Sequence, residues 1–200
     1  MATTVNNRAN AYYQKANHIR LPQTAICKAT ITLDDGSTPE TLFNDAVPAN
    51  MGADAAPYTL GLGFRVLTAG EISAIKFYQT PDDPTTARSV SLYTLDSFTP
   101  IAVTYDYAVS GSGWKTIPLP APVAVTPGVL YVAGVYVPLG YYAYTSQLFL
   151  TDDYISGNLV APDTTEANGN GRFRNDIEFG RPDQSFNATW YGIDIVFEAD

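Results

Sequence analysis

The sequence predicts an all-β protein: an antiparallel β-sandwich of jelly-roll or immunoglobulin-like type with an extended N-terminal arm. Three observations predict it. From Tyr58 onward, short apolar runs recur and are broken by Gly, Pro and Asp clusters rather than by helical patterns. Several runs alternate strictly in period two, with Leu60, Leu62, Phe64 and Val66 on one face and Gly61 and Gly63 on the other. The last run, Trp190–Phe197, places Ile193, Ile195 and Phe197 on one face and closes the domain.

The elements follow in order. Residues 1–33 are rich in Asn, Ala, Thr and Tyr; Ala9–Ala16 suits a short helix, and Leu21-Pro22 ends any longer one. Thr24–Leu33 alternates as a strand that can pair with its own sheet or a neighbour's edge. Asp34-Asp35-Gly36-Ser37 is a turn, and residues 37–57 read as a linker with one helical turn near Glu40–Asn44. The expected division is therefore an arm and linker over 1–56 and a sandwich over 57–200. Strands are expected near Tyr58–Val66, Ile72–Tyr78, Val90–Leu95 and Ile101–Val109. The stretch from Trp114 to Tyr136 reads as a hairpin: a strand, a proline-rich bend, a turn at Pro127-Gly128 and a second strand. Ala161–Arg174, with Asn168-Gly169-Asn170-Gly171, reads as an exposed loop or a hairpin tip.

Two hundred residues with 46% hydrophobic and 16% charged composition suffice for a substantial core. The net charge of −9 excludes a general nucleic-acid binder, which must neutralise phosphates. That charge is uneven. Arg8, Lys15, Arg20 and Lys28 precede the first acidic residue, so the remainder carries seven basic residues against twenty acidic ones. A basic arm on an acidic body suits docking on copies of itself or on an acidic neighbour. Cys27 is the single cysteine, which excludes an internal disulfide and a cysteine metal site and suits a small buried thiol. The start, MATTVNNRANAYYQK, lacks the apolar run of a secretory signal, and no apolar span is long enough to cross a membrane as a helix. The expectation is a protein used in the cytoplasm or released by another route, such as a particle freed by lysis.

The pieces LGLGFRV (60–66), GEISAIKFYQ (70–79), SVSLYT (89–94), GWKTIPLPAPVAVTPGVLYVAGVY (113–136) and YGIDIVF (191–197) carry a resemblance. In this order they resemble a family of bacterial and phage β-sandwich domains of unknown function, over about residues 57–199. Members of that family accompany carbohydrate-active or immunoglobulin-like modules in secreted proteins. The resemblance implies the sandwich and an accessory role, and it carries over no catalytic residue.

Catalysis finds little support among the residues. His18 is the only histidine and lies in the arm, and no G-x-S-x-G nucleophile motif accompanies it. Asp34/Asp35, Asp82/Asp83 and Asp152/Asp153 are adjacent pairs on turns, which point apart, whereas glycoside hydrolysis needs two carboxyls facing across a cleft. No calcium-loop pattern, phosphate-binding glycine loop or histidine zinc site is present, so no cofactor or metal is expected. Tyr141, Tyr142, Tyr144 and Tyr154 offer stacking faces and hydroxyls to a sugar or protein surface, or simply cover the sheet.

These observations lead to a non-enzymatic virion structural protein: a head-decoration, tail or baseplate component of a tailed phage. Its arm contacts would be Arg8, Tyr12, Tyr13, Lys15, Arg20, Ile26 and Lys28, against other virion proteins or copies of itself. The alternative is a carbohydrate-binding module, on the particle or extracellular, that reads a surface polysaccharide through the four tyrosines. Neither reading involves nucleic acid or a membrane.

Overall fold

A computed structural model of the chain describes residues 38–166 and 169–200. The expected helix at 9–16, the strand at 24–33, His18, Cys27, the Asp34/Asp35 pair and all seven arm contacts lie outside those residues. The compact unit runs over Gly36–Asp200.

Among the described residues there are thirteen strands and no helix: β1 (Asn50–Ala53), β2 (Tyr58–Val66), β3 (Gly70–Gln79), β4 (Ala87–Thr94), β5 (Ala102–Ala108), β6 (Gly113–Val125), β7 (Tyr131–Val137), β8 (Tyr141–Tyr144), β9 (Tyr154–Ser156), β10 (Leu159–Ala161), β11 (Arg172–Asn175), β12 (Gln184–Ser185) and β13 (Ile193–Ala199). All pairings are antiparallel. The larger sheet has the order β12-β11-β2-β7-β4-β5, with β10 also on β2 and β9 on β10; a second sheet is β13-β3-β6, and β1 pairs with β8.

The two main sheets share one apolar core. Leu60, Leu62, Phe64, Leu92 and Val135 come from the larger sheet; Ile72, Ile75, Phe77, Ile117, Ile193, Ile195 and Phe197 come from the smaller one. That is a sandwich. Each fully buried Leu, Ile or Phe side chain contributes about 1.5–3 kcal/mol relative to an exposed one. Ile72 and Ile75, three apart, would face opposite ways in a regular strand. The pairing of β3 with β13 jumps from Ala74↔Val196 to Ile72↔Phe197, so Ser73 is an unpaired extra residue and both isoleucines reach the core.

The stretch from Trp114 to Tyr136 is not a hairpin. The Pro127-Gly128 turn is present, with Gly128 at φ 76°, but β6 pairs with β3 and β7 pairs with β2 and β4. The turn is a crossover from one sheet to the other. The prolines do not end the strand either. β6 is an edge strand, where a missing N–H costs little, and its pairing skips residues 119–122 between Pro118↔Ala74 and Val123↔Ile72.

Residues 38–56, expected as a linker with a helical turn, belong to the sandwich unit and contain no helix. Leu42 and Phe43 are in the core, and β1 covers β8. The buried Asp194 carboxylate accepts the Leu42 and Phe43 N–H groups at 2.8 and 2.9 Å, and Glu40 accepts both the backbone and side-chain N–H of Asn158 at 2.7 and 2.6 Å. Burial raises the Asp194 pKa, opposed by those backbone hydrogen bonds.

The stretch 161–174, expected as an exposed loop or a hairpin tip, is corrected at its described ends, which are buried and lie along the free edge of β2. β11 pairs with Tyr58–Gly61 and β10 with Arg65–Val66. Between them the Asn170 side chain takes the place of a strand: its Oδ1 accepts the Gly63 N–H at 2.8 Å and its Nδ2 donates to the Gly63 carbonyl at 2.9 Å. Pro182 lies against Gly61, where a Cβ would collide with its ring and stand 3.1 Å from the Ala133 carbonyl. The two glycines therefore face packed side chains, which is why neither position carries a side chain of its own.

Candidate functional site: an aromatic concavity at the open end of the core

The apolar row of β2 runs Phe64, Leu62, Leu60, Tyr58 from the core outward, and its last member is half-buried. At that end Asp54, Tyr58, Leu60, Tyr142, Phe173, Phe186 and Tyr191 line a concavity of about 210 Å³. Tyr58 and Leu60 share β2, and the other five arrive from separate pieces of chain. Asp54 follows β1, Tyr142 lies on β8, and Phe173 sits opposite Leu60 in the β11–β2 ladder. Phe186 follows β12, and Tyr191 precedes β13.

The rings stand edge to face. Tyr142 is 6.4 Å from Tyr58 at 74° and 5.8 Å from Tyr191 at 77°, while Tyr58 and Phe173 are 6.5 Å apart at 61°. Such pairs match a ring's positive edge to its neighbour's negative face. Tyr142 lies directly across Gly52 of the paired β1 strand; a Cβ there would come within 2.7 Å of its Cζ. Glycine is thus required at position 52 for this ring placement.

One carboxylate serves the site. The Tyr142 hydroxyl donates to Asp54 Oδ2 at 2.6 Å, and the Asp54 N–H donates to the Gly140 carbonyl, fixing the loop. Burial, the Asp54 hydrogen bond and the Asp54 charge all push the Tyr142 phenol pKa upward. Burial, followed by the Asp54 charge, pushes Tyr191 up to about 12. Both phenols therefore stay neutral at physiological pH, and the Asp54 carboxylate is the only charged side chain among the lining residues.

The structure separates the four tyrosines named from the sequence. Tyr142 lines the concavity, and the Tyr144 ring lies beside it at 5.8 Å, tilted by 52°. Tyr141, its neighbour on the strand, lines a different depression with Ala53, Ala55, Pro84, Pro138 and Leu139. Tyr154 is 4.7 Å from Phe43, within an aromatic group that also holds Trp190 and Phe149. Tyr58, Phe173, Phe186, Tyr191 and Asp54 were not singled out from the sequence. The one signal for Tyr58 is that it continues the Leu60–Val66 row; Phe173 and Phe186 sit in polar stretches with no periodicity.

The acidic turns are occupied by local partners. Asp83 is buried against Arg88 and accepts the Thr85 N–H at 2.9 Å. Asp153 pairs with Arg65 at 2.9 Å, while Arg65 also reaches Glu166. Among the described residues, no group of three or more His, Cys, Asp or Glu side chains is placed to hold a metal ion.

Residues 45–193 match the family model described as a domain of unknown function, DUF4082. The chain belongs to this family. The DUF4082 match includes Asp54, Tyr58, Tyr142, Phe173, Phe186 and Tyr191, so the whole concavity is built within the family domain. Comparison with curated proteins yields no match to the chain.

Proposed function

We propose that the chain is a non-enzymatic recognition module whose aromatic concavity holds a saccharide unit of a surface polysaccharide. The observation that carries this reading is the convergence of five aromatic rings and one carboxylate on a single concavity. The apolar C–H face of a sugar packs on ring surfaces, and a carboxylate accepts its hydroxyls; a few polar groups among apolar walls are the usual composition of a small-ligand site. Asp54 stands without a second lining carboxylate, whereas glycoside hydrolysis uses two. Calorimetric titration of soluble surface polysaccharides against the native chain and Phe186→Ala tests it. Phe186 is 65% exposed, so its truncation leaves the fold intact, and affinity falls at least about tenfold. Equal affinity of the two proteins overturns the site, and silence toward every polysaccharide overturns the reading.

A second reading rests on the charge asymmetry between residues 1–28 and the rest of the chain. In it, the chain is a structural component of a tailed-phage particle, anchored by Arg8, Tyr12, Tyr13, Lys15, Arg20, Ile26 and Lys28 and displaying the sandwich outward. Deleting residues 1–33 then abolishes incorporation into particles while the sandwich stays folded. Normal incorporation of the truncated chain removes this reading.

A further inference from the structure

We infer that the group seated in the concavity is a cation, an alkylammonium nitrogen carried by the ligand; this rests on the recognition-module reading and adds the chemistry of what is recognised. The geometry of the rings is the first argument. A neutral pyranose is best held on a flat, open ring face. Here Tyr58, Tyr142 and Tyr191 meet at 74° and 77°, and Phe173 meets Tyr58 at 61°, so the rings form walls around a volume rather than one platform. Walls of this kind enclose a rounded group, and the face of each ring is the negative part of its quadrupole.

Charge is the second argument. Asp54 is the one ionised side chain in the lining, and no lysine or arginine lines the concavity to compensate it. Its position is fixed at both ends: by the Tyr142 hydroxyl at 2.6 Å and by its own N–H on Gly140. An anionic sugar acid entering here would meet Asp54 and the ring faces with like charge. An ammonium meets both with opposite charge.

Two sources supply this chemistry: a choline-type quaternary ammonium substituent and the free amine of an amino sugar. Calorimetric titration of the full chain with choline chloride, glucosamine and N-acetylglucosamine separates them, the last being the neutral counterpart of the second. At least one cationic probe is expected to bind about tenfold more tightly than N-acetylglucosamine. Choline alone identifies the quaternary source, and glucosamine alone identifies the amino sugar. Asp54→Asn keeps an acceptor for the Tyr142 hydroxyl and removes the charge, so it should weaken the cationic probe about tenfold and leave the melting temperature near native. Phe186→Ala, an exposed ring, should weaken the same probe several-fold and guards against a folding defect in the first variant.

If glucosamine and N-acetylglucosamine bind equally and Asp54→Asn changes neither, the cation inference falls while the saccharide reading survives. If choline binds but no polysaccharide does, the cation inference stands and the saccharide reading falls. If no probe and no polysaccharide binds, both fall.

Discussion

Replacing Asn170 by alanine tests how the edge of β2 is completed between β10 and β11. Asn170 is 1% exposed. Its Oδ1 accepts the N–H groups of Gly63 and Gly171 at 2.8 Å each, and its Nδ2 donates to the carbonyls of Gly63 at 2.9 Å and Pro162 at 3.0 Å. The Gly63 groups point toward the gap between β10 and β11, where no backbone can reach them. Alanine therefore orphans several buried backbone groups at once. Taking about 1 kcal/mol for each of the four, the low end of the cost of an unsatisfied buried group, gives a loss of about 4 kcal/mol. A typical domain has only about 5–15 kcal/mol in total, so the midpoint of urea unfolding should fall steeply. Fluorescence of Trp114 and Trp190, both in packed surroundings, reports the transition. Asn170→Asp should be at least as damaging, because it loses both donors and sets a charge beside two carbonyls. A loss below about 1 kcal/mol with an unchanged denaturant slope would refute the bridging role.

Three further outcomes follow from the same geometry. Gly61→Ala forces a methyl group into Pro182 and should cost about 1–3 kcal/mol by thermal unfolding, with the site's ligand affinity reduced if the β11 layer moves with it. Arg88→Met leaves Asp83 charged and buried and should cost about 3–5 kcal/mol, whereas adding Asp83→Asn to it should restore much of the loss; a double variant as unstable as the single one contradicts the pairing. Tyr191 has a folded pKa raised from 10.0 to about 12, so its stabilising contribution is complete below pH 10 and disappears as pH rises through about 12. Tyrosinate absorbance should show a late-titrating phenol that is missing in Tyr191→Phe, and that variant should lose less stability over the same window.

How far the fold could be read from residues depended on what each element buries. β2, β4 and β13 announce themselves because apolar side chains at alternate positions enter the core, and β3 by its apolar run despite the bulge at Ser73. The Pro127-Gly128 reversal was readable from turn chemistry, but a turn does not say which sheet receives the next strand, so a crossover looked like a hairpin. β10 and β11 are too short to show an alternating pattern; they pair along the edge of β2, while the Asn170, Arg172 and Pro182 side chains pack on its glycine face in place of an apolar stripe. Leu42 and Phe43 form only a two-residue apolar island, and their place is set by Asp194, far away in sequence. The concavity was half legible. Tyr142 stood out within a tyrosine-rich segment, yet its partners Tyr58, Phe173, Phe186 and Tyr191 come together only through strand register, which no local pattern encodes.

The most direct test of the recognition role is residue-resolved mapping of a polysaccharide titration by NMR, with aromatic side chains labelled. Shifts should concentrate on Tyr58, Tyr142, Phe173, Phe186 and Tyr191 and should shrink markedly in Phe186→Ala at a ligand concentration near the native dissociation constant. Binding that instead moves Tyr141, Tyr154 or the exposed Tyr105 and spares those five rings contradicts the assignment of the concavity as the site.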